Sequence, residues 1–199
     1  MVSWAPMRLL SSLLAVALLV VAAPSADAGP ATDAVKAANT SVSTLLKKKA
    51  KAATVTEAVR GFLDLDLLGQ RALVDHWGKL SPAQKSEYLA LLRELIEASY
   101  LQGVKKNLQF EVVYDGEAPG ADGTVRVSTT VKTTRKGRPA AVPIAYVLSN
   151  ASGTYKAFDV VTDGVGLVEN YRAQFNKIIV KEGFAGLIAR MKKKLATPK

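Results

Sequence analysis

The sequence predicts a single α+β domain, a four-stranded antiparallel twisted sheet covered by N-terminal and C-terminal helices. Three observations carry that reading. Apolar residues recur at helical spacing before about residue 105 and again after residue 165. Between Phe110 and Thr162 the period changes to two, with Val125, Val127, Thr129 and Val131 alternating with Arg126, Ser128, Thr130 and Lys132. The strand connections are too short for crossovers, so consecutive strands pair antiparallel and bury one face.

Taken in order, the first segment is an export signal. Arg8 supplies a positive start, Leu9 to Ala23 an apolar run, and Ala26-Asp27-Ala28 a small-residue cleavage site. The run of about 15 residues is short of the roughly 20 that span a bilayer. The expectation is therefore a cleaved signal peptide over 1–28 and one exported domain over 29–199. With no cysteine in the chain, lipidation at a lipobox and disulfide stapling are both excluded, and packing alone must hold the fold.

Val35, Ala38, Val42, Leu45 and Leu46 set out a first helix, followed by the basic run Lys47-Lys48-Lys49-Ala50-Lys51. Thr54 or Thr56 is the candidate cap of a short second helix ending near Phe62. A third is expected from Asp64 to about Asp75, on Leu65, Leu68 and Leu73, before a loop at His76 to Leu80. Ser81-Pro82-Ala83-Gln84 is a strong helix start: serine at the N-cap, proline at the first helical position and glutamine at the capping-box position. That helix should run to about Leu101, with Gly103 as terminator. Phe110, Val112 and Tyr114 mark the first strand, and Gly116 to Gly123 a turn or loop. Strands at Val125 to Val131, Val142 to Leu148 and Tyr155 to Thr162 follow, with turns at 135–139 and 150–153 between them. A Gly-rich turn at Asp163 to Gly166 leads into a helix through Tyr171 and Phe175, and a basic last helix follows Gly183-Phe184.

The chain carries a net charge of +10, which removal of Arg8 and Asp27 leaves unchanged. Export makes nucleic acid an unsuitable partner for that charge and leaves anionic membrane surfaces, acidic proteins or plain solubility. Enzyme signatures are nearly absent. His76 is the single histidine, no serine sits in a G-x-S-x-G turn, and no Cys/His cluster or calcium-loop spacing is present. No metal and no cofactor is expected. Asp159 and Asp163 are the one carboxylate pair to weigh for acid–base work, against plain roles at a strand end and in a turn. What remains is apolar surface, and periodicity does not separate a filled core from a cavity.

Several segments, in order, resemble the MlaC-type, toluene-tolerance family of exported phospholipid carriers. Phe62-Leu63-Asp64-Leu65-Asp66, Leu80-Ser81-Pro82-Ala83-Gln84-Lys85, Val142 to Leu148 and Tyr155-Lys156-Ala157-Phe158-Asp159-Val160 are similar to its successive motifs. Gly164 to Phe175 resembles its G-V-S-L-V-x-x-Y-R-x-Q-F helix start. Tyr155 replaces a usual tryptophan and keeps an aromatic. Gly166 replaces a usual serine and removes a hydroxyl that caps the helix, so a looser helix start is expected.

The resemblance implies a non-enzymatic periplasmic carrier with an apolar, lipid-sized cavity. Its cargo is a glycerophospholipid whose acyl chains are buried and whose head group stays in water. Two acyl chains of roughly 30 methylenes, at about 0.8 kcal/mol each, cost on the order of 24 kcal/mol to expose. The partners implied are an inner-membrane ABC transporter complex with an MCE-domain component and an outer-membrane lipoprotein assembly, with transient membrane-surface contact. On strands, the candidate cavity residues are Val112, Val127, Val131, Ile144, Tyr146 and Leu148, with Val160 on a strand whose phase is ambiguous. On helices they are Leu92, Leu95, Ile96, Leu167, Tyr171, Phe175 and Ile178. Each position serves an ordinary core equally well. Arg172, beside that face, pairs either with an acidic residue or with a lipid phosphate. The competing reading is an exported structural or adaptor domain with a filled core, binding envelope proteins through its basic surface.

Overall fold

The computed structural model describes residues 29–106, 110–135 and 138–196, so the expected signal peptide and the centre of the turn at 135–139 lie outside the described residues. A helical hairpin comes first, α1 (Pro30–Lys47) and α2 (Ala52–Phe62), then α3 (Leu65–Ala72), the short α4 (Val74–Trp77) and the long α5 (Pro82–Lys106). The sheet follows as β1 (Glu111–Pro119), β2 (Val125–Arg135), β3 (Arg138–Ser149), β4 (Lys156–Thr162) and β5 (Val165–Gly166), before α6 (Leu167–Ala196) closes the fold. Strand order equals chain order and every pair is antiparallel.

Local chemistry explains the helix starts. Pro30 occupies the first helical position of α1, and Glu117 Oε2, from β1, accepts from Thr32 N at 2.7 Å and Thr32 Oγ1 at 2.8 Å. Asp64 caps α3 by accepting from Leu67 N at 2.9 Å. Ser81 N donates to Gln84 Oε1 at 2.9 Å and Gln84 N to Ser81 Oγ at 3.2 Å, so the capping box is formed as read. Neither Thr54 nor Thr56 caps α2, which starts at Ala52 without a side-chain cap. The helix expected to reach Asp75 stops at Ala72, and a separate helical turn, Val74–Trp77, takes in the start of the loop expected from His76. Gly103 does not terminate α5, which continues to Lys106.

The sheet departs from the reading at two bulges and one extra strand. Tyr114 pairs with Thr129 but Gly116 with Ser128, so Asp115 is an extra residue and β1 runs on to Pro119 instead of turning at Gly116. The bulge puts Glu117 on the same face as Tyr114, where it reaches α1. Val147 pairs with Asp159 and Leu148 with Ala157, so Phe158 is the extra residue of β4. That bulge resolves the phase of the last long strand: Ala157 and Val160, an odd number apart, both join the inner face. The fifth strand, Val165–Gly166, pairs with Val161 and Thr162 across Asp163 and Gly164, whose φ values are 52° and 81°. Positive φ at both central residues is the geometry of a tight hairpin turn, which Asp-Gly favours.

Three apolar clusters hold the domain together. α3, α5 and α6 build the largest, around Tyr88, Leu92, Phe175 and Leu187, with Tyr88 edge-on to both Trp77 and Phe175. Ala31 and Val35 of α1 pack on Val127, Leu148 and Ala157 of the sheet. Val42, Val55 and Val59 join α1 to α2. Leu63 packs against all three.

α6 breaks at Gly183, where φ is 70° and ψ is 176°, a conformation essentially reserved for glycine. The break sends Leu187, Ile188 and Met191 into the largest cluster. A Cβ would meet nothing within 4 Å at Gly183 or at the helical Gly61, so the two positions differ in backbone alone. Gly183→Ala should destabilise by about 1–3 kcal/mol. Gly61→Ala, on an exposed helical surface, should stabilise by roughly 0.5–1 kcal/mol. Thermal unfolding of the two variants checks this, the expected result being midpoints that move in opposite directions.

Candidate functional site

Where the three clusters meet they leave a cavity of about 400 Å³, within the roughly 300–1,000 Å³ of ligand pockets. Ala38, Asn39 and Val42 of α1 line it, with Ala58, Val59 and Phe62 of α2 and the following Leu63. Ile96 and Ser99 enter from α5, Ile144, Tyr146 and Val160 from the sheet, and Leu167 and Tyr171 from α6. Not one of these side chains is a carboxylate, an amine or a guanidinium. A second cleft of about 420 Å³ has similar size but opposite chemistry, with Asp64, Asp66, Gln70 and Lys156 in its wall. The first is suited to an apolar ligand, the second to water.

The few polar atoms of the apolar cavity sit on Asn39, Ser99, Tyr146 and Tyr171. Asn39 Nδ2 donates to Tyr114 Oη at 3.2 Å, tying α1 to β1. Burial pushes the Tyr146 phenol above its ordinary pKa; its hydrogen bond with Asn39 draws it partly back, and Tyr114 adds to the rise. Burial also raises Tyr171. Both phenols are therefore neutral at physiological pH, and the wall stays uncharged. Phe62 lies edge-on to Tyr146 with ring centroids 5.9 Å apart.

Of the residues singled out from the sequence, Ile96, Ile144, Tyr146, Val160, Leu167 and Tyr171 come together in this cavity. The others do not line it. Leu92, Leu95 and Phe175 are buried in the helical cluster, and Ile178 packs against it. Tyr171 and Phe175 stack with centroids 5.2 Å apart, but only Tyr171 reaches the cavity while Phe175 turns to Tyr88. Val127 and Leu148 are fully buried under α1. Val112 and Val131 face each other across β1 and β2, half-buried, further along the same sheet face. Sequence reasoning missed the wall made by α1 and α2. Its signal was present in the helical spacing of Val35, Ala38 and Val42, which shows an apolar face without showing what the face meets.

The polar candidates have structural partners. Arg172 Nε donates to Asp75 Oδ2 at 2.9 Å and Nη2 to Oδ1 at 2.8 Å, tying α6 to α4. His76 Nε2 lies 2.9 Å from Asn176 Oδ1 at the same junction. Asp159 Oδ1 accepts from Val168 N at 3.1 Å, capping α6 from the neighbouring strand. The absence of a serine at 166 therefore does not leave this helix uncapped. Gly166 is what admits the carboxylate, since a Cβ there would meet Asp159 Oδ2 at 2.5 Å. Asp163 sits in the tight turn. Among the described residues, no group of three or more His, Cys, Asp or Glu side chains is placed to hold a metal ion. Also among them, no helix is long and apolar enough to cross a membrane.

The family model described as MlaC protein matches residues 31–193, which takes in every buried residue of the three clusters and every wall of the cavity. The chain belongs to the MlaC family. It is 22% identical over 138 residues to the intermembrane phospholipid transport system binding protein MlaC of Haemophilus influenzae, a match covering 69% of this chain and 64% of that relative. The chain thus spans just under two thirds of the length of that curated relative. Its fold is shared with a solved structure, the phospholipid-binding protein from Ralstonia solanacearum in complex with a phospholipid. That match has a TM-score of 0.73 and 23% identity, over 84% of this chain and 98% of the other. Within the MlaC family, then, this chain has an open antiparallel sheet with helices on it and an uncharged cavity at their junction.

Two ion pairs around the helices couple stability to acid pH. The Arg172 hydrogen bond holds Asp75 below the ordinary carboxylate range, and Arg190 does the same for Glu182. A depressed folded pKa contributes stability above the unfolded value, near 4, and that contribution is lost as pH falls through the folded value. Urea midpoints should therefore decline below about pH 4. An Asp75→Asn, Glu182→Gln double variant should start lower at neutral pH and decline less steeply. Parallel curves for the variant and the parent would show that other carboxylates set the decline.

Proposed function

We propose that this protein is a periplasmic carrier that takes the acyl chains of a glycerophospholipid into the cavity between the α1–α2 hairpin, the sheet, α5 and α6. It shuttles that lipid between inner and outer membrane as the soluble component of an ABC-linked transport system. The observation that carries the reading is the cavity wall itself, which is built from four helices and two strands and presents no charge. Each methylene moved from water into such a wall gains about 0.8 kcal/mol. A phosphate-bearing head group would lose hydration there and gain no cationic partner, so it stays outside. Chain volume, rather than head-group chemistry, is what this surface recognises. The family membership and the names of the two relatives support the same reading. An inner-membrane transporter complex with an MCE-domain component and an outer-membrane lipoprotein assembly are the corresponding partners. An unfilled apolar space of this kind disfavours an adaptor with a filled core, and the capping role of Asp159 disfavours a hydrolase built on it.

Native mass spectrometry of the protein purified without detergent, with organic extraction of the bound lipid, tests the proposal. Charged substitutions at Leu95 or Val127 would strike packed core, so the informative changes are at half-buried walls, Ile144→Asp and Val160→Phe. The parent should carry near-stoichiometric phospholipid. Each variant, still folded by circular dichroism, should lose it by about tenfold or more, or at least about 1.4 kcal/mol. Full lipid content in both folded variants, or an empty parent after incubation with phospholipid vesicles, would overturn the carrier reading.

A further inference from the structure

We propose that the turn joining α1 to α2 is a membrane-contact site, through which Lys47, Lys48, Lys49 and Lys51 hold the protein against an anionic phospholipid surface. All four side chains are exposed, and none makes an ion pair among the described residues. No acidic residue occurs between Asp33 and Glu57, so the chain on either side of the turn brings no carboxylate close to its four lysines. By contrast, Arg60, Arg71, Arg93, Lys132, Arg172, Arg190 and Lys192 each pair with a carboxylate.

The chemistry of the turn favours a lipid surface over an acidic protein. Protein hot spots are built from aromatic and arginine anchors that fit shaped pockets. The turn offers neither. Its apolar residues Leu45, Leu46 and Ala50 are tucked against Val42, Val55 and Val59, leaving ammonium groups on flexible stems as the outward chemistry. Point charges of that kind suit a diffuse layer of phosphates, where each contributes roughly 1 kcal/mol within a Debye length of the surface. Position gives the contact a use. Val42 lines the cavity only five residues before Lys47, about 7–8 Å along a helix axis. A membrane held at the turn is therefore held beside a cavity wall.

The choice of a lipid surface rests in part on the carrier reading, so cargo and membrane contact are measured on the same samples. The full mature protein is sedimented with vesicles of phosphatidylcholine, with or without phosphatidylglycerol, at low salt and at about 1 M salt. Binding is expected only to the phosphatidylglycerol vesicles, with release at high salt. Changing the four turn lysines to glutamine should weaken it by roughly a thousandfold, and changing them to arginine should preserve it. A matched loss of charge at Lys79, Lys177, Lys181 and Lys194, all exposed, should leave binding within a few-fold of the parent. Equal weakening in the matched set would reduce the effect to net charge and overturn the site. So would a parent that ignores anionic vesicles, including one that binds polyglutamate through the same four lysines. Bound lipid, read by native mass spectrometry, should be unchanged in the glutamine set. An empty parent that still binds vesicles would count against the carrier reading alone.

Discussion

The arrangement of the whole molecule depends on the short passage of chain at Leu63 and Asp64. Leu63 forms an isolated parallel bridge with Ala157, and Asp64 N donates to Ala157 O at 2.9 Å. The side chain of Leu63 meets all three apolar clusters, while that of Asp64 starts α3. One β-like contact thus separates the hairpin from the helical bundle and fixes both to the same strand. Because each cluster packs tightly on its own side of this junction, the space between them stays unfilled. The cavity follows from three cores that share a corner rather than merging.

Around that junction the sheet reaches out to the helices with carboxylates. Glu117 caps α1 and Asp159 caps α6, so the first and last helices of the described fold both begin on a side chain from a strand. A cap of this sort is worth about 1 kcal/mol, and here it also fixes where the helix sits. Glu97, nearly buried on α5, accepts from Arg60 of α2 at 2.5 and 2.9 Å and adds a third tie beside the cavity. Such directed contacts position the elements, while burial of apolar surface supplies most of the stability. In a chain without cysteine there is no covalent alternative.

Much of this was legible in the residues because the signals were local. The Ser81 to Gln84 capping box, the alternation of β2 and β3, and the helical face of α6 each depend on neighbours within a few positions. The misreading with the largest consequence arose where a distant partner decided the outcome. Gly116 looks like a turn until a bulge at Asp115 lets β1 continue and delivers Glu117 to Thr32. Gly103 looks like a stop, yet α5 carries through it. Asp163-Gly164 held a hairpin signal that was overshadowed by the helix after it. Six of the cavity residues were found by following the inner faces of strands and helices. The contribution of α1 and α2 was not found, because an apolar stripe is the same whether it meets a sheet or encloses a space.

The tie between Thr32 and Glu117 spans 85 residues, and the cluster under α1 joins Ala31 to Ala157. Such contacts carry a large loop-closure cost in the order of assembly. A chain made from its N-terminus therefore presents α1 and α2 long before β4 exists to receive them. The bundle of α3 and α5 cannot complete itself without α6 either. α1 therefore has no complete seat until β1 and β4 are present, so the wall formed by the hairpin depends on the sheet. α1, the earliest helix of the described fold, is seated by strands that come long after it in the chain.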